Sequence, residues 1–194
     1  MNTVSQIPII ILAAGESKRL GRAKQLLEYK GETLLNRTIR MANEVSRDII
    51  VVLGARLEEI SQSISNKNVQ IVLNENWETG MASSVIAGLR TRLKAEKVIL
   101  SLCDQPYLTP TIFENLIAVE ESSQKSIIAS NYGNEIGVPM LFNQLIYNDL
   151  LALKGDKGAR AILQKYEGSI AAIDFPDGDI DIDTIEEWEL FLKE

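Results

Sequence analysis

The sequence predicts an α/β protein with a mainly parallel sheet and helices on both faces. Three observations carry this. Short apolar runs, rich in Ile, Val and Leu and too continuous to be half-exposed, recur along the chain. Segments with apolar residues at helical spacing separate them, and strand–helix alternation of this kind builds parallel sheets through crossover connections. The runs end in small or polar residues, among them Gly15, Gly54 and Asp104. In such sheets those ends lie on one edge, where ligands bind.

In chain order, Ile7 to Leu12 reads as a buried strand, and Leu34 to Val45 as a helix with Leu34, Leu35, Ile39 and Ala42 on one face. Ile49 to Leu53 is a second strand closed by Gly54, Leu57 to Ile64 a helix, and Val69 to Leu73 a third strand. Gly80 to Leu93 is a helix whose first turn carries Ser83 and Ser84, and Val98 to Leu102 is a fourth strand. Pro110, tolerated in a first helical turn, opens a helix over Thr111 to Glu120. Ile127 to Ser130 and Val138 to Phe142 read as strands. Helices are expected around Gln144 to Leu153 and Ala159 to Tyr166, a strand at Ile170 to Ile173, and a closing helix at Ile185 to Leu192. With no repeat, low-complexity tract or long linker, residues 1–194 are read as a single domain.

Composition narrows the chemistry. The chain has 194 residues, 45% hydrophobic and 24% charged, as in an ordinary soluble domain. No apolar stretch approaches the ~18 residues of a membrane helix, and no cleavable signal pattern is present, so a cytoplasmic protein without membrane association is expected. There is no histidine, which removes Ser-His-Asp and Cys-His catalysis and the common zinc sites. The single cysteine, Cys103, reads as a small buried thiol at a strand end. Any metal must be held by oxygen, which suits magnesium. A net charge of −7 with no basic stripe argues against a nucleic-acid partner.

The segment LAAGESKRLG (residues 12–21), followed by Lys24, leaves the first strand as small residues, then glycines, then cations. Small residues let backbone N–H groups approach a phosphate, and Arg19 and Lys24 can neutralise it. It is neither the ATPase phosphate loop, since Arg22 follows Gly21, nor a Gly-x-Gly-x-x-Gly dinucleotide loop. Asp104, at the end of the fourth strand, faces the same edge and can serve as a magnesium ligand or cap a turn. Asp179, Asp181 and Asp183 alternate with Ile and share one face of an extended segment, where a cation would relieve their repulsion. Asp183 can equally cap the closing helix. In NENWETGMASS (74–84), Gly80, Ser83 and Ser84 can hold an anion or a base edge at a helix start; the alternative is capping with Trp77 and Met81 in the core. The loop GDKGAR (155–160) can take a second phosphate or be a plain charged loop.

Taken together, LAAGESKRLGRAKQLL, NENWETGMASSVIAGL, SLCDQPYLT, GVPMLF, GDKGAR and DIDTIEEW resemble the molybdenum cofactor cytidylyltransferases, within the wider molybdopterin-type nucleotidyltransferases. They keep the family's order and span nearly the whole chain. The resemblance implies a nucleotide-diphospho-sugar transferase-like fold and magnesium-dependent transfer of CMP from CTP to molybdenum-bearing molybdopterin, with release of pyrophosphate. By motif, Leu12, Ala13, Ala14 and Gly15 would line the nucleotide and Arg19 and Lys24 would hold its phosphates. Asp104 and Asp183 would bind the metal, and Gly80 and Ser84 would lie near the base. Alanine at position 14 accompanies CTP in the family, where the guanylyl relatives have glycine. A molybdoenzyme apoprotein or its chaperone would receive the product. The chain departs from the pattern at Val138, where many cytidylyltransferases have His, at Ile185 in place of Pro, and at Glu75 in place of Pro. These departures bear on the acceptor more than on the triphosphate chemistry. Two further readings stay open: nucleotidyl transfer to a sugar or alditol phosphate, and a non-catalytic protein that escorts a cofactor.

Overall fold

In the computed structural model, which describes residues 5–180, 182 and 184–193, the apolar runs pair into one seven-stranded sheet. β1 (Ile9–Leu12) is followed by a small hairpin, β2 (Glu28–Tyr29) and β3 (Glu32–Thr33), and by α1 (Leu34–Val45). Next come β4 (Ile49–Leu53), α2 (Leu57–Ser63), β5 (Gln70–Leu73), α3 (Met81–Arg90), β6 (Lys97–Leu102) and α4 (Pro110–Ser123). The last part holds β7 (Ile127–Asn131), β8 (Ile136–Asn143), α5 (Tyr147–Leu151), β9 (Ile170–Asp174) and α6 (Ile185–Phe191).

The strand order is β5-β4-β1-β6-β8-β7-β9. β1 is parallel to both β4 and β6, β8 runs antiparallel between β6 and β7, and β9 is parallel to β7. The chain leaves β1 toward β4 and β5, then returns to the far side of β1 at β6. The order therefore reverses between β1 and β6, the place where open α/β sheets bind ligands.

Alternation along β1 shows why both faces are covered. Ile9 and Ile11 pack with Leu35 and Ile39 of α1 and Phe113 and Leu116 of α4. Ile10 and Leu12 pack on the other face with Val85 and Leu89 of α3 and Leu150 of α5. A smaller cluster of Leu20, Leu27, Leu34, Ile182, Trp188 and Phe191 joins the segment after β1 to α6, with Trp188 stacked on Phe191 at 5.5 Å between centroids.

The structure differs from the sequence expectation in four places. Residues 159–169 form successive 3-10 turns broken at Tyr166, not an α-helix; only Ala159 and Ile162 are buried there, too little to hold a full helix. Residues 144–146 form a separate 3-10 turn, because the Asn143 side chain accepts from Leu145 N at 3.1 Å and starts a new cap. The β2–β3 hairpin turns through Lys30 and Gly31, both at positive φ, without the Asn-Gly signal that marks such turns. The N-cap of α6 is Thr184, not Asp183: its hydroxyl accepts from Glu187 N at 3.2 Å, and the Glu187 carboxylate accepts from Thr184 N at 2.9 Å. Among the described residues no helix is long and apolar enough to cross a membrane.

Candidate functional site

The register of β1 against β6 sets Leu12 beside Leu102, so Ala13–Gly15 and Cys103–Asp104 leave the sheet side by side. The loop after β1 then curls back. Ser17 (φ 57°) and Gly21 (φ 72°) supply the left-handed turns, and buried Leu20 anchors the curl. Ser17 Oγ accepts from Lys24 N at 3.1 Å. The buried Gln25 amide donates to Ala13 O at 2.8 Å and Gly15 O at 2.9 Å. Those two bonds fix the carbonyls of the small residues from behind. Gln25 lies inside the quoted motif but escaped the sequence reading; the available signal was a polar side chain between Ala23 and Leu26. A Cβ on Gly15 would meet nothing within 4 Å. Protein packing does not require glycine there, and the room beside it opens on a cleft.

Lys24 is 8% exposed, and its ammonium donates to Asp104 Oδ2 at 3.2 Å. Two predicted site residues, 80 positions apart, thus meet as a largely buried ion pair across the β1–β6 edge. Arg19 is exposed on the same turn as Lys18, which pairs with Glu16 at 3.3 Å.

The cleft has a volume of about 720 Å³ and is lined by Leu12, Ala14 and Gly15, by Ser17 and Lys18, and across from them by Trp77, Gly80, Met81, Ser84 and Asp156. Arg19 and Lys24 do not line it; Lys24 bonds Asp104 and, through its backbone N–H, the cleft residue Ser17. Buried Asn74 positions the serines: its Nδ2 donates to Ser83 Oγ at 2.8 Å and Ser84 Oγ at 3.0 Å, while its Oδ1 accepts from Asn76 N at 3.0 Å. Trp77 lies on Gly54, where a Cβ would come within 2.5 Å of the Trp77 Cβ and 2.9 Å of Ala14 O. Trp77 therefore borders the cleft while packing half-buried against the core of that face; Met81, 39% exposed, borders the cleft and is not a core residue. The 155–160 loop docks on the start of α3 through Ala82 N to Gly155 O at 3.0 Å. It turns Asp156 into the cleft, whereas Arg160 pairs with Glu135 at 2.6 Å and Lys157 lines a separate hollow with Lys154 and Lys165. Its cations are thus not placed for a second phosphate in this cleft.

On the other side of Asp104 lies a hollow of about 220 Å³, bordered by Gln105, Tyr132, Glu135, Gly178 and Asp179. Gln105 Nε2 lies within hydrogen-bond distance of Gly178 O (2.8 Å), Val138 O (2.9 Å) and Tyr132 Oη (3.1 Å), its two N–H groups shared among the three, and the Tyr132 hydroxyl donates to Val138 O. The Tyr132 ring rests on Gly137 and Gly178, where added Cβ atoms would sit 2.4 and 2.2 Å from ring carbons. Burial pushes the Tyr132 phenol up to about 12. Burial, reinforced by the Asp104 charge, likewise pushes the Cys103 thiol up, so it stays protonated beside the site.

Asp181 and Asp183 lie outside the described residues. Among the described residues no group of three potential ligands converges on a metal position. Asp104 nevertheless fits a hard cation by its chemistry: the chain has no histidine, the neighbouring thiol is protonated, and carboxylate oxygen is the donor the edge offers.

Comparison with known proteins gives a consistent picture. The family of MobA-like NTP transferase domains matches residues 9–170. Nicotine blue oxidoreductase of Paenarthrobacter nicotinovorans is 30% identical over 188 residues, covering 92% of each chain. Molybdenum cofactor cytidylyltransferase of Escherichia coli is 33% identical over 114 residues, 58% of this chain and 59% of its own. Among solved structures, an Rv0371c homologue from Mycobacterium sp. strain JC1 superposes with a TM-score of 0.86 at 32% identity, covering 98% and 97% of the two chains. Mycobacterium tuberculosis Rv0371c in complex with manganese superposes with a TM-score of 0.76 at 26% identity, covering 98% and 100%. The fold is that of the nucleotide-diphospho-sugar transferases, as the sequence resemblance implied.

Proposed function

The chain belongs to the MobA-like NTP transferase family and is a nucleotidyltransferase; on that premise we propose that it transfers CMP from CTP to molybdenum-bearing molybdopterin and releases pyrophosphate. The observation that carries this reading is the contact of Lys24 with Asp104, 3.2 Å apart where the β1 loop and the end of β6 meet. It is supported by Ala14 on the cleft wall, the residue that accompanies CTP in the resembling family. We read residues 1–194 as one such unit, acting in the cytoplasm.

The chemistry suits a chain without histidine. A phosphate monoester is mostly dianionic at neutral pH, so its oxygen attacks the α-phosphorus of CTP without a general base. The new bond joins that oxygen to the α-phosphorus as the bond to the β-phosphate oxygen breaks, and pyrophosphate leaves. What the residues supply is alignment and charge. Leu12, Ala13, Ala14 and Gly15 line the nucleotide, with Gly80 and Ser84 beside the base. Lys24 and Arg19 hold the phosphates, Lys24 from within the protein and Arg19 from the exposed turn. Asp104 and Asp183 would hold a divalent ion, magnesium in our reading, which when bound would neutralise triphosphate charge.

The test is incubation with labelled CTP, magnesium and molybdenum-loaded molybdopterin, followed by mass analysis. The expected product is the cytosine dinucleotide with one pyrophosphate released per turnover. Cytidylation of a sugar or alditol phosphate alone would overturn the acceptor. CTP binding without pyrophosphate release would overturn transfer in favour of an escort role. Because one relative is named an oxidoreductase, the label must be found in the product for the transfer reading to stand.

A further inference from the structure

We infer that Asp156 reads the nucleotide base, selecting one that presents an amino group, such as cytosine, over one that presents a carbonyl there, such as uracil. This rests on the cytidylyl-transfer reading and adds a residue from a loop that reading leaves without a role.

The docking of that loop is tight. Ala82 N donates to Gly155 O at 3.0 Å. Gly80 stands at φ 107°, and a Cβ there would lie 2.4 Å from the Gly155 carbonyl carbon and 2.5 Å from Asp156 Oδ1. Only glycine lets the loop close on the start of α3, and the result is a carboxylate against Gly80 in the same cleft as Ala14 and Ser84. Among the described residues no hydrogen bond or ion pair engages the Asp156 side chain, and the cations beside it in sequence are turned elsewhere. Three carboxylates, Glu16, Glu78 and Asp156, line the cleft; Glu16 pairs with Lys18, while Asp156, held against Gly80, is repelled by phosphate and so belongs at the end remote from the phosphates. There it can only accept hydrogen bonds. The cytosine 4-amino group donates, whereas a carbonyl at that position opposes lone pair to lone pair. Guanine also carries an amino group, so Asp156 sorts amino-bearing bases from uracil and leaves the cytosine–guanine choice to other residues.

The test uses the full chain with Asp156→Asn, and Glu78→Gln as a control at another of the cleft's carboxylates. CTP and UTP are compared by pyrophosphate release with magnesium and acceptor, and by calorimetric binding. Asp156 is exposed, so its substitution leaves the core intact. The expected result for Asp156→Asn, whose amide can donate to the uracil carbonyl, is a fall in the CTP-over-UTP ratio on the order of 10- to 100-fold, with Glu78→Gln near wild type. An unchanged ratio, an equal loss on both nucleotides, or the collapse appearing in Glu78→Gln instead would overturn it. If the wild type releases no pyrophosphate with either nucleotide, cytidylyl transfer fails, and the binding ratio still decides the role of Asp156.

Discussion

The two sides of Asp104 are built differently. The cleft over the β1 loop has one contiguous stretch, residues 12–18, along one wall, faced by residues 77–84 and by Asp156. At the strand end that wall is backbone and small side chains, Ala14 and Gly15, and its turns come from Ser17 and Gly21 at positive φ. The hollow beside Gln105 is held by a side-chain network drawing on residues 105, 132, 138 and 178, four separate segments. A wall built from backbone holds its ligand by N–H and C=O groups that do not depend on the identity of most side chains. A side-chain network can be retuned one residue at a time, which suits the part of the site that varies. On this reading the first side takes the nucleotide and the second the acceptor.

The largest effect should come from the pair that joins the two sides. Lys24→Ala or Asp104→Ala is expected to cut turnover by ~10²-fold or more, as loss of one electrostatic stabiliser does. Pyrophosphate release measures it, and near-normal rates in either variant would dissolve the comparison by removing its centre. Gly80→Ala attacks the nucleotide side alone. It combines a left-handed φ of 107° with a backbone clash at 2.4 Å that no side-chain rotation can relieve. Destabilisation of about 3 kcal/mol is expected from strain plus overpacking, read by urea unfolding. If Gly80→Ala is neutral, the 155–158 loop is not seated on α3 as described.

The same contrast explains what the sequence disclosed. The β1 loop was legible because its residues are neighbours in the chain, so spacing alone puts small residues, Arg19 and Lys24 together. Asp104 was legible because a strand end fixes its edge. Trp77 and Met81 read the same in sequence whether they face the interior or a cleft; Met81 is exposed, whereas Trp77 does both, packing on the core and over Gly54 while it borders the cleft. The helix expected at 159–166 rested on an apolar pattern too weakly buried to form it. Gln105 and Tyr132 could not be found at all, because their carbonyl partners, Val138 O in β8 and Gly178 O after β9, come from distant segments, and a carbonyl leaves no mark in a sequence. The acidic alternation at 179–183 sits between: Asp179 borders the hollow, while Asp181 and Asp183 fall outside the described residues.

Two substitutions sharpen the description of the network side, and their order follows from which carbonyl is left alone. Gln105→Leu removes the donor to Gly178 O, which has no other side-chain donor among the described residues, and one of two donors to Val138 O. An orphaned buried carbonyl predicts a loss of about 2 kcal/mol. The acceptor KM should rise while CTP binding holds, which a general loss of stability would not produce.

Tyr132→Phe is the smallest of the series at neutral pH. Val138 O keeps its bond from Gln105, so about 1 kcal/mol or less is expected. The effect of this substitution should grow at alkaline pH, and its sign follows from burial. The Tyr132 phenol titrates at about 12 in the folded protein against about 10 when exposed. Between those values the folded state keeps a proton that the unfolded state gives up, so raising the pH favours unfolding. The stabilisation associated with the neutral phenol is present below about pH 10 and lost as pH rises toward about 12. Wild type should therefore lose stability more steeply than Tyr132→Phe across that window. Taking the difference between the two urea midpoints cancels the contribution of Cys103, which burial also raises. Parallel pH profiles would mean that the hydroxyl is solvated and that the Gln105 network is looser than its bond lengths describe.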